Sequence, residues 1–265
     1  MIKSLFFAFC IFMVSTVVLA GNDCFIAKEN NQIIKQEGSC AVQHSPCSTF
    51  KIAISLMGYN EGILVDQTHP EWPYKKGYID QFGPFQMDAW KQPQNPTTWV
   101  KNSCIWYSQL ITQKLGAEKF TQYIKAFQYG NQDVAGDPGA GNGLTNAWLS
   151  SSLLISPEEQ ITFLDKLVSL KLPVSQKAVD LTRDIFFIET MPNGWKLYAK
   201  TGTGFKHNND GSLDFDHQIG WFVGWVTKDD KNIIFAQYIE DNEKMDTLAS
   251  SRAKALAREQ LTKIL

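Results

Sequence analysis

The sequence of 265 residues predicts an α+β fold: an antiparallel sheet built from the N- and C-terminal segments, flanked by helices, with a mostly helical lobe inserted. Three observations point to it. Residues 24 to 44 read as short strands. The middle of the chain, roughly 60 to 170, is rich in helical spacing and irregular loops. Three strand-like runs and one amphipathic helix then close the chain.

The elements follow in order. Lys3 precedes a charge-free apolar run from Leu5 to Leu19, and Val18-Leu19-Ala20 fits a small-residue cleavage site. This is the pattern of a secretory signal peptide cut after Ala20. The expected organisation is therefore residues 1–20 as signal and 21–265 as a single domain, periplasmic or secreted, with no membrane attachment after cleavage. "FIAKENNQIIKQ" has the form of a hairpin flanked by Cys24 and Cys40. Residues 48 to 58 read as a buried helix. From 60 to 100 the chain is rich in Pro, Trp, Tyr and Gln, and reads as loops with short helices. "CIWYSQLITQKLG" and "AEKFTQYIKAF" have helical spacing, and "SPEEQITFLDKLVSL" starts a helix at a Ser156 cap with Pro157 behind it. "WKLYAKTGTG", "GWFVGWVTK" and "NIIFAQYIE" are strand-like. In the last helix Ala249, Ala253, Leu256, Ala257, Leu261 and Ile264 share one face.

Composition excludes several classes. A net charge of −2 gives no electrostatic case for nucleic acid or an anionic membrane. The histidines, His44, His69, His207 and His217, have no metal-ligand spacing, and no glycine-rich phosphate loop is present. Cys10 leaves with the signal, so Cys24, Cys40, Cys47 and Cys104 remain. Four cysteines allow three pairings; Cys24 with Cys40 is the first to expect, and four free thiols is the other state.

The chemistry concentrates at "CSTFKIAISL", where Lys51 is set among Phe50, Ile52, Ala53, Ile54 and Leu56. Ser48 lies one helical turn earlier, so both side chains share a face. A serine needs a base to become a nucleophile, and burial lowers a lysine's pKa enough for it to serve. S-x-x-K alone is weak; a second copy, Ser251 to Lys254, falls opposite the apolar face of the last helix and reads as solvated. Further along, "NSC" places Ser103 near a helix start, "YGN" (Tyr129 to Asn131) forms a turn, and "KTG" (Lys200 to Gly202) ends a strand-like run. A strand edge of this kind can hold a carboxylate and offer backbone N–H groups to an oxyanion.

In the order S-x-x-K, S-x-x, Y-G-N, K-T-G, these motifs resemble the serine β-lactamase and penicillin-binding family, with the fold expected of that family. "STFK", "YGN", "KTGTG" and "GWFVGWV" look specifically like the class D β-lactamases. The resemblance implies that Ser48 attacks a β-lactam carbonyl and forms an acyl-enzyme. It implies that the N–H groups of Ser48 and Thr203 form the oxyanion hole, and that Ser103 and Lys200 relay a proton to the leaving nitrogen. It implies no bound cofactor or metal, but carbamylation of Lys51 by CO2 to N6-carboxylysine, which activates the deacylating water. Substrate contacts are implied for Thr201, Gly202, Thr203, Ile105 and Trp148. The family's apolar lysine pocket, in which a tryptophan donates one hydrogen bond, maps onto Phe50, Ile105, Trp148 and Leu149. The implied partners are small-molecule β-lactams, for a monomer or weak homodimer.

One departure stands out. Many class D enzymes hold the substrate carboxylate with an arginine before the final helix, but "EDNEKMDTLASSRAKA" has none before Arg252. Thr201 with a hydroxyl from Thr247, Ser250 or Ser251 is the expected substitute. Three other readings use similar residues: a penicillin-binding transpeptidase or carboxypeptidase, a receptor that stays acylated, and an unrelated Ser-Lys hydrolase. Multiple turnovers of a penicillin separate a hydrolase from a receptor.

Overall fold

The computed structural model describes residues 22–208 and 210–265, so the signal peptide expected over residues 1–20 lies outside the described residues. The chain begins with strands β1 (Cys24–Glu29) and β2 (Gln32–Gly38). A 3-10 turn over Cys47–Phe50 runs directly into helix α1 (Lys51–Asn60). A small hairpin, β3 (Gln81–Phe82) and β4 (Phe85–Gln86), precedes α2 (Pro96–Lys101), α3 (Ile105–Leu115), α4 (Ala117–Phe127), α5 (Gly143–Asn146), α6 (Pro157–Val168) and α7 (Gln176–Phe186). The chain then returns to strand as β5 (Phe187–Thr190), β6 (Lys196–His207), β7 (Leu213–Lys228) and β8 (Lys231–Glu240), and ends in α8 (Ala249–Ile264).

The main sheet is antiparallel with order β2-β1-β8-β7-β6-β5. The first strand thus pairs with the last, and both ends of the chain build one sheet, as the sequence predicts. Alternation along β7 divides two cores. Trp221, Val223 and Trp225 join the helical lobe's core, while Phe222 and Val226 join a smaller core under α8. Alanines bring α8 close to that face: a Cβ on Gly220 would lie 2.5 Å from the Ala249 carbonyl oxygen. Leu256 departs from the expected stripe and is 43% exposed. It lies at the margin of the face that Ala249, Ala253, Ala257 and Leu261 bury.

Two capping boxes explain helix starts. Asn95 pairs with Thr98 ahead of α2, and Ser156 pairs with Glu159 ahead of α6, each with Pro at the first position. Cys24 and Cys40 form a disulfide, and Cys47 and Cys104 are free and buried. Helix α7 and strand β5 have no counterpart in the sequence reading. Strand β5 is a largely exposed edge strand and lacks the alternation that reveals a half-buried one.

Candidate active site

Ser48 sits in the 3-10 turn and Lys51 opens α1. The Lys51 Nζ lies 3.2 Å from the Ser48 Oγ, as the one-turn spacing requires. Lys51 is fully buried, whereas Ser48 is half-buried and opens onto a cleft. Burial pushes the Lys51 amine down to about 8, so near neutral pH a useful fraction of it is uncharged.

The turn is held from both lobes. The Ser45 Oγ donates to the Trp148 carbonyl at 2.9 Å and accepts from the Ser150 N–H at 2.9 Å, while the Ser45 carbonyl accepts from the Trp221 indole at 2.9 Å. The Cys47 N–H also reaches the Trp148 carbonyl, at 3.0 Å. Cys47 itself has φ of 50°, left-handed for a residue with a side chain. Such strain persists only where surrounding contacts over-determine it, and these hydrogen bonds do so. Gly204 on β6 lies so close that a Cβ there would meet the Cys47 sulfur at 2.4 Å, which accounts for the second glycine of "KTGTG".

Lys200 arrives on β6, almost fully buried. Its Nζ lies 3.0 Å from the Ser103 Oγ and bonds the Thr201 carbonyl at 3.0 Å and hydroxyl at 3.2 Å. Burial pushes its pKa well below the ordinary lysine range, with the charges of Lys51 and Lys254 adding to the shift. Ser103 is not the helix cap that its position suggests: Cys104 caps α3. Ser103 stands one residue earlier with φ of 55°, and that turn aims its hydroxyl at Lys200.

The structure brings Ser48, Ser103, Ile105, Thr201 and Thr203 together around one cleft of about 420 Å³, with Leu248 and Ser250 at the start of α8 closing one side. Ser250 donates its backbone N–H to the Thr203 hydroxyl at 3.3 Å. A second cavity of about 300 Å³ shares Phe82, Ile105 and Thr203 with the cleft and includes Leu149. Gly202 packs behind the cleft lining, where a Cβ would lie 3.1 Å from the Pro46 carbonyl oxygen.

Trp148 is fully buried beside Phe50, ring centroids 5.5 Å apart, and does not line the cleft. Its indole N–H is buried without an acceptor. A buried donor left unpaired costs about 1–3 kcal/mol, so it marks a place where an acceptor is expected. "YGN" is likewise a support: the Tyr129 ring packs against Phe50 at 5.1 Å, and Asn131 ties the turn to Ser152 and Leu154. Among the described residues no group of three or more His, Cys, Asp or Glu is arranged to hold a metal ion.

Several cleft residues escaped the sequence reading: Phe82, Phe85, Met87 and Trp90. They come from the loop-rich stretch, where no periodicity shows which side chains face inward. Ser45 escaped for another reason, since its partner Trp148 lies 103 residues away.

Arg252 is occupied elsewhere. Its guanidinium forks onto both oxygens of Asp241 and also reaches the Thr247 carbonyl and hydroxyl. The Arg252→Ala variant is therefore expected to lose roughly 2 kcal/mol of stability. That is less than the roughly 3–5 of a fully buried pair, because the Arg252 side chain keeps 22% of its surface exposed. Its kcat/KM should stay within tenfold. Denaturant unfolding and steady-state kinetics check both; a large loss of kcat/KM at unchanged stability would assign the arginine to substrate.

A family model for the penicillin-binding protein transpeptidase domain matches residues 18–262. Beta-lactamase OXA-9 of Klebsiella pneumoniae is 41% identical over 219 residues, which cover 83% of this chain and 78% of the relative. Beta-lactamase OXA-1 of Escherichia coli is 39% identical over 236 residues, covering 87% and 80%. The crystal structure of the class D β-lactamase OXA-427 superposes with a TM-score of 0.83 at 45% identity, covering 92% of this chain and all of that one.

Proposed function

Since this chain belongs to the penicillin-binding protein transpeptidase family, and within it to the class D β-lactamases, we propose that it opens the β-lactam ring of penicillin-type antibiotics through an acyl-enzyme on Ser48, and so confers β-lactam resistance. The observation that carries this reading is the contact between the buried Lys51 amine and the Ser48 hydroxyl at the floor of the cleft.

In the first step the base at Lys51 accepts the Ser48 proton as Oγ bonds to the lactam carbonyl carbon. The carbonyl oxygen gains the negative charge, and the N–H groups of Ser48 and Thr203 are the donors we assign to it. As the C–N bond breaks, the ring nitrogen takes a proton from Ser103, and Lys200 replaces it. An ammonium with a depressed pKa gives up its proton readily, which suits Lys200 to this role. Water then attacks the ester carbonyl and releases Ser48 with the opened product.

The surroundings of Lys51 suit carbamylation. Its amine is partly uncharged near neutral pH, its chain neighbours Phe50 and Ile52 are apolar and buried, and the Trp148 N–H lacks an acceptor. A carbamate formed there from CO2 would supply an anionic oxygen base for the deacylating water, with Trp148 and Ser48 as the groups that would hold it. For the substrate carboxylate we assign Thr201 and, of the three candidate hydroxyls, Ser250. Ser250 lines the cleft, whereas the Thr247 hydroxyl is taken by Arg252 and Ser251 is exposed.

We assign residues 21–265 to one catalytic domain that works as a monomer or weak homodimer, exported to the periplasm or beyond. The Lys3, apolar-run and Val18-Leu19-Ala20 pattern supports export, and mass spectrometry of the exported protein should find the first twenty residues gone.

Purified protein given a penicillin and a chromogenic cephalosporin should show many turnovers, with a transient adduct on Ser48 by mass spectrometry. A single stoichiometric burst would replace the hydrolase reading with the receptor one.

A further inference from the structure

A β-lactam of the penicillin type carries a carboxylate on the carbon beside its ring nitrogen, and neither arginine of helix α8 is free to meet it. Helix α8 contains four long cations. Three have carboxylate partners: Arg252 with Asp241, Arg258 with Glu189, and Lys263 with Glu259. The fourth, Lys254, has no ion pair among the described residues. It lies one turn after Ser250, so the two side chains sit on one face of the helix.

That face adjoins the substrate cleft. Ser250 and Thr201 line the cleft, and Thr201 also lines an adjoining groove of about 400 Å³ that includes Lys254 and Lys200. Neither cavity has an Asp or Glu in its lining. The region therefore holds uncompensated positive charge next to two hydroxyls, and the pressure of Lys254 on Lys200 is a sign of that proximity. A carboxylate placed there meets the unpaired charge of Lys254. The flexible four-carbon stem of a lysine lets the charge follow an anion without the fixed fork of an arginine.

We propose that Lys254 is a specificity-determining residue that supplies the positive charge for the substrate carboxylate, beside the hydroxyls of Thr201 and Ser250. The assignment rests on the β-lactam hydrolase reading. It also gives a use to the second S-x-x-K, which sequence alone treats as solvated surface: Ser251 is exposed, and Lys254 is half-buried.

The test compares a penicillin with its methyl ester in wild type, Lys254→Met and Lys254→Arg. The methionine keeps most of the stem and removes the charge. For the acid, Lys254→Met should raise KM about tenfold with kcat little changed, and Lys254→Arg should recover most of the loss. For the ester, all three proteins should match. Added salt should raise the wild-type KM for the acid and leave that of Lys254→Met almost unmoved. An acid KM within twofold of wild type in Lys254→Met, or equal losses on acid and ester, would overturn the assignment. The rate of Ser48 acylation, followed by mass spectrometry, gives the same comparison in a protein that acylates without turnover. The role of Lys254 and the hydrolase reading thus fail separately.

Discussion

Lys51→Ala is expected to abolish turnover, with kcat lower by about 10⁴-fold or more, some 5 kcal/mol of transition-state stabilisation. The loss is large because one residue serves two steps: it takes the proton of Ser48 and then that of the attacking water. Any acyl-enzyme that forms slowly in the variant should persist, visible as a stable mass increment on Ser48. The wild type gives a companion result. Only the uncharged amine reacts with CO2, and the Lys51 amine is pushed down to about 8. Lowering pH through the mildly acidic range protonates it, so activity should fall there, and added bicarbonate should restore it. Degassed, CO2-free buffer should have the same effect, and Trp148→Ala should make the enzyme more dependent on bicarbonate, because the indole donor is lost. Full wild-type activity in CO2-free buffer, without a carbamate signal by 13C NMR, would mean that Lys51 works as a free amine.

Removing the Ser103 hydroxyl is the second large effect, expected to lower the acylation rate about 10²–10⁴-fold, the usual range for loss of a positioned proton donor. The backbone dictates the choice of substitution. Ser103 has φ of 55°, where a Cβ costs roughly 1 kcal/mol and glycine is at ease. Ser103→Gly therefore deletes the hydroxyl while keeping or improving the fold, whereas Ser103→Ala keeps the strain. Both should lose activity, and Ser103→Gly should unfold at an equal or higher denaturant concentration than wild type. Lys200→Ala should show a loss of similar order, and the double variant should lose little beyond either single one, since the two act in one relay. A Ser103→Gly enzyme within fivefold of wild type would take the proton path away from Ser103.

Much of this site is legible in the sequence because its spacing is local. Ser48 and Lys51 are one helical turn apart, and the apolar neighbours of Lys51 already imply a depressed pKa. The "KTGTG" strand is equally legible, but not the reason for its last glycine, which is the Cys47 sulfur against it. What spacing cannot convey is backbone sign: the left-handed Cys47 and Ser103 look like ordinary residues until their neighbours are known. The sheet from both chain ends was readable from β-rich termini, while the burial of Tyr129 beside Phe50 was not, since a turn motif carries no statement of which side it faces.

The pairing of β1 with β8 has a kinetic consequence. The Gln237 side chain donates to the Cys24 carbonyl across 213 residues of chain, so the sheet is closed by contacts of very high sequence separation. Such contacts form late, after the entropy of closing a long loop has been met. Ser48 emerges early in synthesis, but β6, Thr203 and the start of α8 belong to the last quarter of the chain. A partly made chain thus holds the nucleophile without the wall it works against. Catalytic competence therefore requires segments from both ends of the chain, including the start of α8, which follows the final strand.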